Sequence, residues 1–216
     1  QADVFQTGTL TLRIVDQNGD FNPQNPAGPY YGLLTPLRKV QITGSYAGTE
    51  YPMFSGFITS YTTTTPKMAT DVVYTTITAV DAFRLFQNSQ ISTVTLADAG
   101  DLPGERVNAI LDEIAWPPSM REIQYGDTIF QADPGTPRTA LQALQTATIS
   151  EYGALYINAR GSVELHDRAF CIESQALPPV VFNDNGTEIT YYNAVWRLDD
   201  TQVYNSASIT KIGGTA

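Results

Sequence analysis

One stretch near the start of the chain constrains the fold more than any other. Residues 9–15 alternate apolar and polar, with Leu10, Leu12 and Ile14 on one face and Thr9, Thr11, Arg13 and Val15 on the other. A period of two is the mark of a half-buried strand. Asp16-Gln17-Asn18-Gly19-Asp20 then turns the chain, because Asn-Gly accepts positive φ at low cost. Pro23, Pro26 and Pro29 cannot donate to a sheet ladder, so residues 22–36 read as an exposed loop. Strands follow at 38–46, with Val40 and Ile42 inward, and at 51–61, where Phe54, Gly56 and Ile58 share a face. Residues 62–67 read as a loop tip. A long β-branched strand covers 70–80, and Asp81 is placed to cap a short helix holding Phe83, Leu85 and Phe86. Four or five antiparallel strands with a closing helix make one compact β module. Nothing between residues 8 and 58 is a strong nucleophile, a metal cluster or a phosphate cradle.

The pattern changes after residue 88. Val107, Ile110, Leu111 and Ile114 fall at i, i+3, i+4 and i+7, an amphipathic helix ended before Pro117-Pro118. A second helix is expected to start with Thr136 as cap and Pro137 at its first position, to bury Leu141, Leu144 and Ile149, and to close at Gly153. A hairpin follows, 154–159 and 162–167, turning at Arg160-Gly161. From Pro178-Pro179 the chain returns to β character, with strands expected at 180–182, 189–196 and 203–210. Two or three strands do not close a domain alone. They complete the first module or open a second one beyond Ala216, and both ends read as cut from something longer. The fold class expected is α+β and mostly β: antiparallel, barrel-like β modules with an inserted helix-helix-hairpin module.

Charged residues make up 16% of the 216, where about a quarter is usual, and Thr, Tyr, Asn and Gln fill the gap. That composition suits β-sheet buried against other subunits. The net charge is −10, with 12 basic residues scattered among 22 acidic ones. Binding to a phosphate backbone needs clustered cations, which argues against nucleic-acid recognition. An acidic wall is useful in another way, because it keeps a passing polyanion from sticking. Asp71, Asp81, Glu188, Asp199 and Asp200 are candidates for such a wall, with Arg13, Arg38, Lys39, Lys67 and Arg197 as its counter-indication. No secretory signal and no apolar run of membrane-spanning length is present.

The chemistry-bearing residues are sparse. Asp16, Asn18, Asp20 and Asn22 alternate like the start of a calcium loop. The glycine is misplaced, though, and position 27 is Ala27, so a polar turn is the better reading. His166 stands alone, and a zinc site or a catalytic triad needs partners. Cys171 is expected to be buried as a small hydrophobe. Glu122 with Asp127, or Asp199 with Asp200, could supply a carboxylate pair for glycan cleavage, but nothing in the sequence sets their separation. No catalytic, cofactor-binding or metal residue is assigned. The aromatic pairs Tyr30-Tyr31 and Tyr191-Tyr192, together with Pro36, are the candidate subunit interface, because Tyr buries large area at low entropic cost.

Several segments in order carry a resemblance. They are Gly8-Thr9-Leu10-Thr11-Leu12, Asp16 through Pro23 with Asn18-Gly19-Asp20, Asn25 with Pro29-Tyr30, Pro36-Leu37-Arg38-Lys39-Val40 and Phe54-Ser55-Gly56-Phe57. Thr78 to Phe83, Glu151 to Tyr156 and Val203-Tyr204-Asn205 follow. Together they resemble the hub-type minor tail proteins of long-tailed bacteriophages, particularly those infecting actinobacteria. That family is similar to the baseplate hubs of contractile tails and of type VI secretion spikes. The resemblance implies a virion tail-tip protein, homotrimeric around the tail axis and not an enzyme, with no cofactor. It implies contacts to distal tail and tube proteins, the tape measure protein and other tip proteins, with DNA passing through unrecognised. It also implies a tube module at 1–88, an inserted module at 89–178 and the start of a second tube module at 179–216. The rival functions are a tail-associated glycan-cleaving enzyme and a carbohydrate- or receptor-binding β module.

Overall fold

A computed structural model of the chain describes residues 5–64, 72–183, 189 and 193–195. The chain falls into two compact units, Gln1–Ala176 and Leu177–Ala216. Strand, at 31%, exceeds helix, at 23%, and the main sheet is a curled antiparallel half-barrel. The fold is therefore α+β and mostly β.

That sheet holds four strands: β1 (Thr9–Val15), β2 (Lys39–Tyr46), β3 (Thr49–Thr64) and β4 (Tyr74–Val80), in the order β1-β4-β3-β2. All neighbours are antiparallel. β3 is long enough to serve two partners. Its first half pairs with β2, and from Phe57 onward it pairs with β4. Strand β3 runs on to Thr64, past the loop tip expected at residue 62, because Thr62, Thr63 and Thr64 still pair with Thr76, Thr75 and Tyr74. Gly56 sits where the two halves meet. A Cβ there would lie 2.3 Å from the Val80 carbonyl oxygen, so only glycine lets the strands approach. The hydroxyl face of the sheet is cross-linked, with Ser60 and Thr59 both bonded to the Thr78 hydroxyl.

The opposite face carries the expected apolar set. Ile58, Ile77 and Ala79 are buried, but Leu10, Leu12, Ile14, Phe21, Val40, Phe54 and Tyr61 are only partly so. Each half-covered aliphatic side chain leaves on the order of 1 kcal/mol of burial unrealised.

The main core lies elsewhere, among α1 (Phe83–Asn88), α2 (Pro103–Glu113), α3 (Ala140–Glu151) and the hairpin β8 (Ala154–Ile157) and β9 (Val163–His166). Val107, Ile110 and Leu111 of α2 meet Leu144 of α3 and Leu155, Val163 and Leu165 of the hairpin. Phe86 of α1 meets Trp116 edge-on at 4.9 Å, and Phe57 of β3 packs on the margin of this core. Three short strands that the sequence pattern did not reveal complete it. β5 (Gln90–Ile91) pairs with β7 (Arg138–Thr139), and β6 (Arg121–Ile123) adds in parallel to β9. Two- and three-residue strands are too short to show a period.

Helix α3 starts three residues later than Thr136. Thr139 is its cap, accepting from the Gln142 amide, while the Gln142 side chain accepts from the Thr139 amide. This reciprocal box satisfies two end donors at once, which a lone Thr136 could not do. Ile149 is exposed, because the inward stripe runs through Leu141, Leu144, Thr148 and Glu151. The left-handed position at the helix end belongs to Tyr152, at φ 58°, and not to Gly153. Gly153 is needed for space, since a Cβ there would lie 2.4 Å from the His166 carbonyl oxygen. A non-glycine residue at φ near +60° costs about 1 kcal/mol. Tyr152→Gly is accordingly expected to raise unfolding stability by about 0.5–1 kcal/mol in denaturant titration.

Helix α4 (Arg168–Glu173) buries none of its residues, so Cys171 is half-exposed and not the core residue expected. Partial burial, and after it the nearby Asp167, push its thiol pKa up. In the second unit Phe182 and Ile189 form an isolated parallel bridge. The strand expected at 203–210 and most of 189–196 lie outside the described residues.

Candidate assembly surface

The candidate surface is the loop between β1 and β2. Its anchor is Asp16, at the end of β1 and 3% exposed. One carboxylate oxygen accepts from the Asp20 amide at 2.7 Å. The other accepts from the Phe21 amide at 3.2 Å and from the Thr75 hydroxyl at 2.7 Å. The side chain therefore closes its own turn and ties it to β4. This is the polar turn expected of residues 16–22, and the Asp16 oxygens are occupied by protein donors.

From that anchor the backbone makes turns at three-residue intervals. The amides of Gly19, Asn22, Asn25, Gly28 and Tyr31 each donate to the carbonyl three residues earlier, at 3.0–3.2 Å. Asn25 braces the series, donating to the carbonyls of Asn18 and Gly19 and accepting from the Ala27 amide. Phe21 reaches down to the sheet face and meets the Tyr30 ring at 5.1 Å. Arg38 closes the far end by donating to the Leu33 carbonyl at 2.8 Å. The loop is thus held by its own hydrogen bonds.

Tyr30 and Tyr31 are 42% and 55% exposed on this scaffold, and Pro36 is also exposed. Leu33 and Leu37 join them, the latter at φ 64° with its amide bonded to the Ile58 carbonyl. Residues 21–37 contain no charged side chain. Charge depletion with exposed Tyr is the composition of an interface centre. Tyr191 and Tyr192 lie outside the described residues. Leu33 and Leu37 were absent from the sequence expectation, although the uncharged run that contains them was visible.

The polar candidates have structural occupations. Asp81 is buried, and its oxygens accept from the Gly8 amide at 2.5 Å and the Phe83 amide at 2.9 Å. It accepts from the first amide of α1 but is not the cap expected, because Ala82 holds the N-cap position and makes no side-chain cap bond; being buried, Asp81 is no part of an acidic wall. Burial raises its pKa, against the pull of those two amides. Asp71, Glu188, Asp199 and Asp200 lie outside the described residues. Glu122 is exposed and shares the Asn158 amide with Glu164, at 3.1 and 3.2 Å, and Asp127 is exposed. His166 stacks on Phe170 at 3.9 Å and has its Nε2 2.9 Å from both Glu164 and the Tyr156 hydroxyl. Burial and the Glu164 carboxylate push the Tyr156 pKa up to about 12, so it remains a hydrogen-bond donor. Among the described residues, no three His, Cys, Asp or Glu side chains are grouped to hold a metal, and no helix is long and apolar enough to cross a membrane.

Removing the anchor is expected to loosen the loop without unfolding the sheet. Asp16→Ala leaves two amides and the Thr75 hydroxyl without their acceptor, at about 1–3 kcal/mol for the set. Amide hydrogen exchange should speed up in residues 19–31 while β3 and β4 keep their protection. Uniform acceleration over both regions would contradict the anchoring role.

No family model matches the chain, and no curated relative matches it. Among solved structures the chain is similar to the 43 kDa tail protein of prophage MuSo2 from Shewanella oneidensis. The TM-score is 0.40 and the identity 11%, over 76% of this chain, which spans 45% of that protein's length.

Proposed function

We propose that this protein is a structural, non-enzymatic subunit of a bacteriophage tail tip. In this reading it forms a homotrimeric hub ring that continues the tail tube, anchors other tip proteins and lets DNA pass. The observation that carries the reading is the half-barrel itself. Its outer strands β1 and β2 are each paired on one side only among the described residues. With four alternating strands, β1 and β2 run in opposite directions. An edge of one copy therefore meets the other edge of the next in antiparallel sense, and the two strands are of nearly equal length. A sheet with two matched open edges and a half-covered apolar face is built to be continued by copies of itself.

The ordered motifs from Gly8 to Asn205 support the phage-tail assignment, and the uncharged aromatic loop supplies a contact surface beside the edges. The proposal includes the tube module at 1–88, the inserted module at 89–178 and a second tube module opening at 179. The test is native mass measurement followed by electron microscopy. A three-copy ring is expected. A single-chain mass at every concentration up to the solubility limit would overturn the hub reading.

A further inference from the structure

We propose that the tip of the β2–β3 hairpin is an arm that docks on the β1–β2 loop of a second copy of this chain, placing Glu50 of one copy against Lys39 of the next. The inference goes beyond the ring reading and names a second contact between copies, separate from the pairing of β2 with β1, which leaves Lys39 on the far edge of the neighbouring sheet.

Strand β4 begins to pair with β3 only at Phe57, so the pairs from Thr43–Pro52 to Tyr46–Thr49 project beyond the four-stranded sheet. The tip is stiff. Ala47 and Gly48 both have positive φ, at 50° and 79°, the form of two-residue turn that matches strand twist. Along this arm the apolar stripe of the sheet does not stop where the core stops. It continues past Val40 and Ile42 to Tyr46, with Tyr51 facing Gly44 across the ladder. A Cβ at Gly44 would lie 3.2 Å from the Met53 sulfur, so Met53 folds over the same place. Tyr46, Tyr51 and Met53 are 77%, 51% and 66% exposed. Tyr and Met are the residue types enriched at the centres of protein contacts.

Charge selects the occupant. In a chain of net charge −10, copies repel one another unless the meeting surfaces are spared. Residues 40–56 carry a single charge, Glu50 at the arm tip. Residues 21–37 carry none and end at Arg38-Lys39. An acidic tip with an aromatic shaft therefore meets an aromatic loop with a basic margin. The contact cannot form within one chain. Glu50 pairs with Ser45, six residues along β2 from Lys39, which is about 20 Å of strand. The fit is then head-to-tail, the type that closes into a ring or propagates.

The test uses the full chain, with mass and association constant measured by sedimentation at low and high salt. Glu50→Lys and Lys39→Glu should each weaken association about ten-fold or more, and the double variant carrying both should restore it. Both positions are exposed, so circular dichroism and melting temperature should match the parent. A wild-type assembly that is indifferent to all three variants would overturn the arm contact and leave the ring reading standing. Loss in both single variants without restoration in the double variant would also overturn it. A chain that never associates would overturn both.

Discussion

Replacing Tyr30 and Tyr31 together with alanine is expected to weaken self-association about 100-fold while lowering the melting temperature by no more than a few degrees. Both side chains are exposed, and among the described residues only Tyr30 of the two makes a ring contact, with Phe21. Their loss therefore removes little from the fold. The loop keeps its Asp16 anchor and its series of turns, which use no tyrosine side chain. At an interface centre each Tyr truncation costs about 1–2 kcal/mol, and about 2.7 kcal/mol for the pair is the 100-fold. The measurement is sedimentation equilibrium beside thermal melting. A variant that melts far below the parent yet assembles with unchanged affinity would assign the pair to packing and remove them from the interface.

Glu151→Ala is expected to be the most damaging of the single substitutions considered, at about 3 kcal/mol or more of unfolding free energy. The residue is 1% exposed at the end of α3. Its two oxygens accept from the Thr128 amide at 3.1 Å and the Arg168 amide at 3.3 Å, with further donors from the Thr128 side chain and the Asp127 amide. One carboxylate thus holds three segments: the end of α3, the 127–128 loop and the start of α4. Burial alone would raise its pKa, but the four donors outweigh that and lower it below 4.5. The folded state then binds fewer protons than the unfolded state. This contribution is present above pH 4.5 and is lost as pH falls through the lowered folded value. Asp81 works in the opposite sense. Its raised pKa makes its contribution largest in acid and smaller as pH rises through the folded value. Comparing wild type with Glu151→Ala separates the two, because Asp81 is common to both. The stability difference should be constant near neutrality and shrink below about pH 4.5. A difference independent of pH down to pH 3 would mean that packing, not the ionised carboxylate, is what Ala removes.

What the sequence determined by itself was local. Alternation at 9–15, the Asn18-Gly19 turn and the prolines of 22–36 specify strand, turn and loop, because each depends on the backbone preferences of adjacent residues. The same holds for the α2 stripe of Val107, Ile110 and Leu111. Both the mostly-β class and the uncharged aromatic loop were legible for that reason. Other features were decided by partners distant in sequence. Thr139 has in Gln142 a capping-box partner that Thr136 lacks, and the pairing of β7 with the distant β5 also keeps Thr139 extended ahead of α3. Glu151 and Asp16 look like surface carboxylates until Thr128, Arg168 and Thr75 are brought to them. Whether a glycine is needed for its dihedral or for space is also a tertiary matter. Gly153 gives up the left-handed position to Tyr152 and stays small because β9 passes 2.4 Å from where its Cβ would be. The division of β3 between two partners, which leaves the arm of Tyr46, Tyr51 and Met53 outside the sheet, depends on where β4 starts. No residue within the arm encodes that, so only the assembled sheet could decide it.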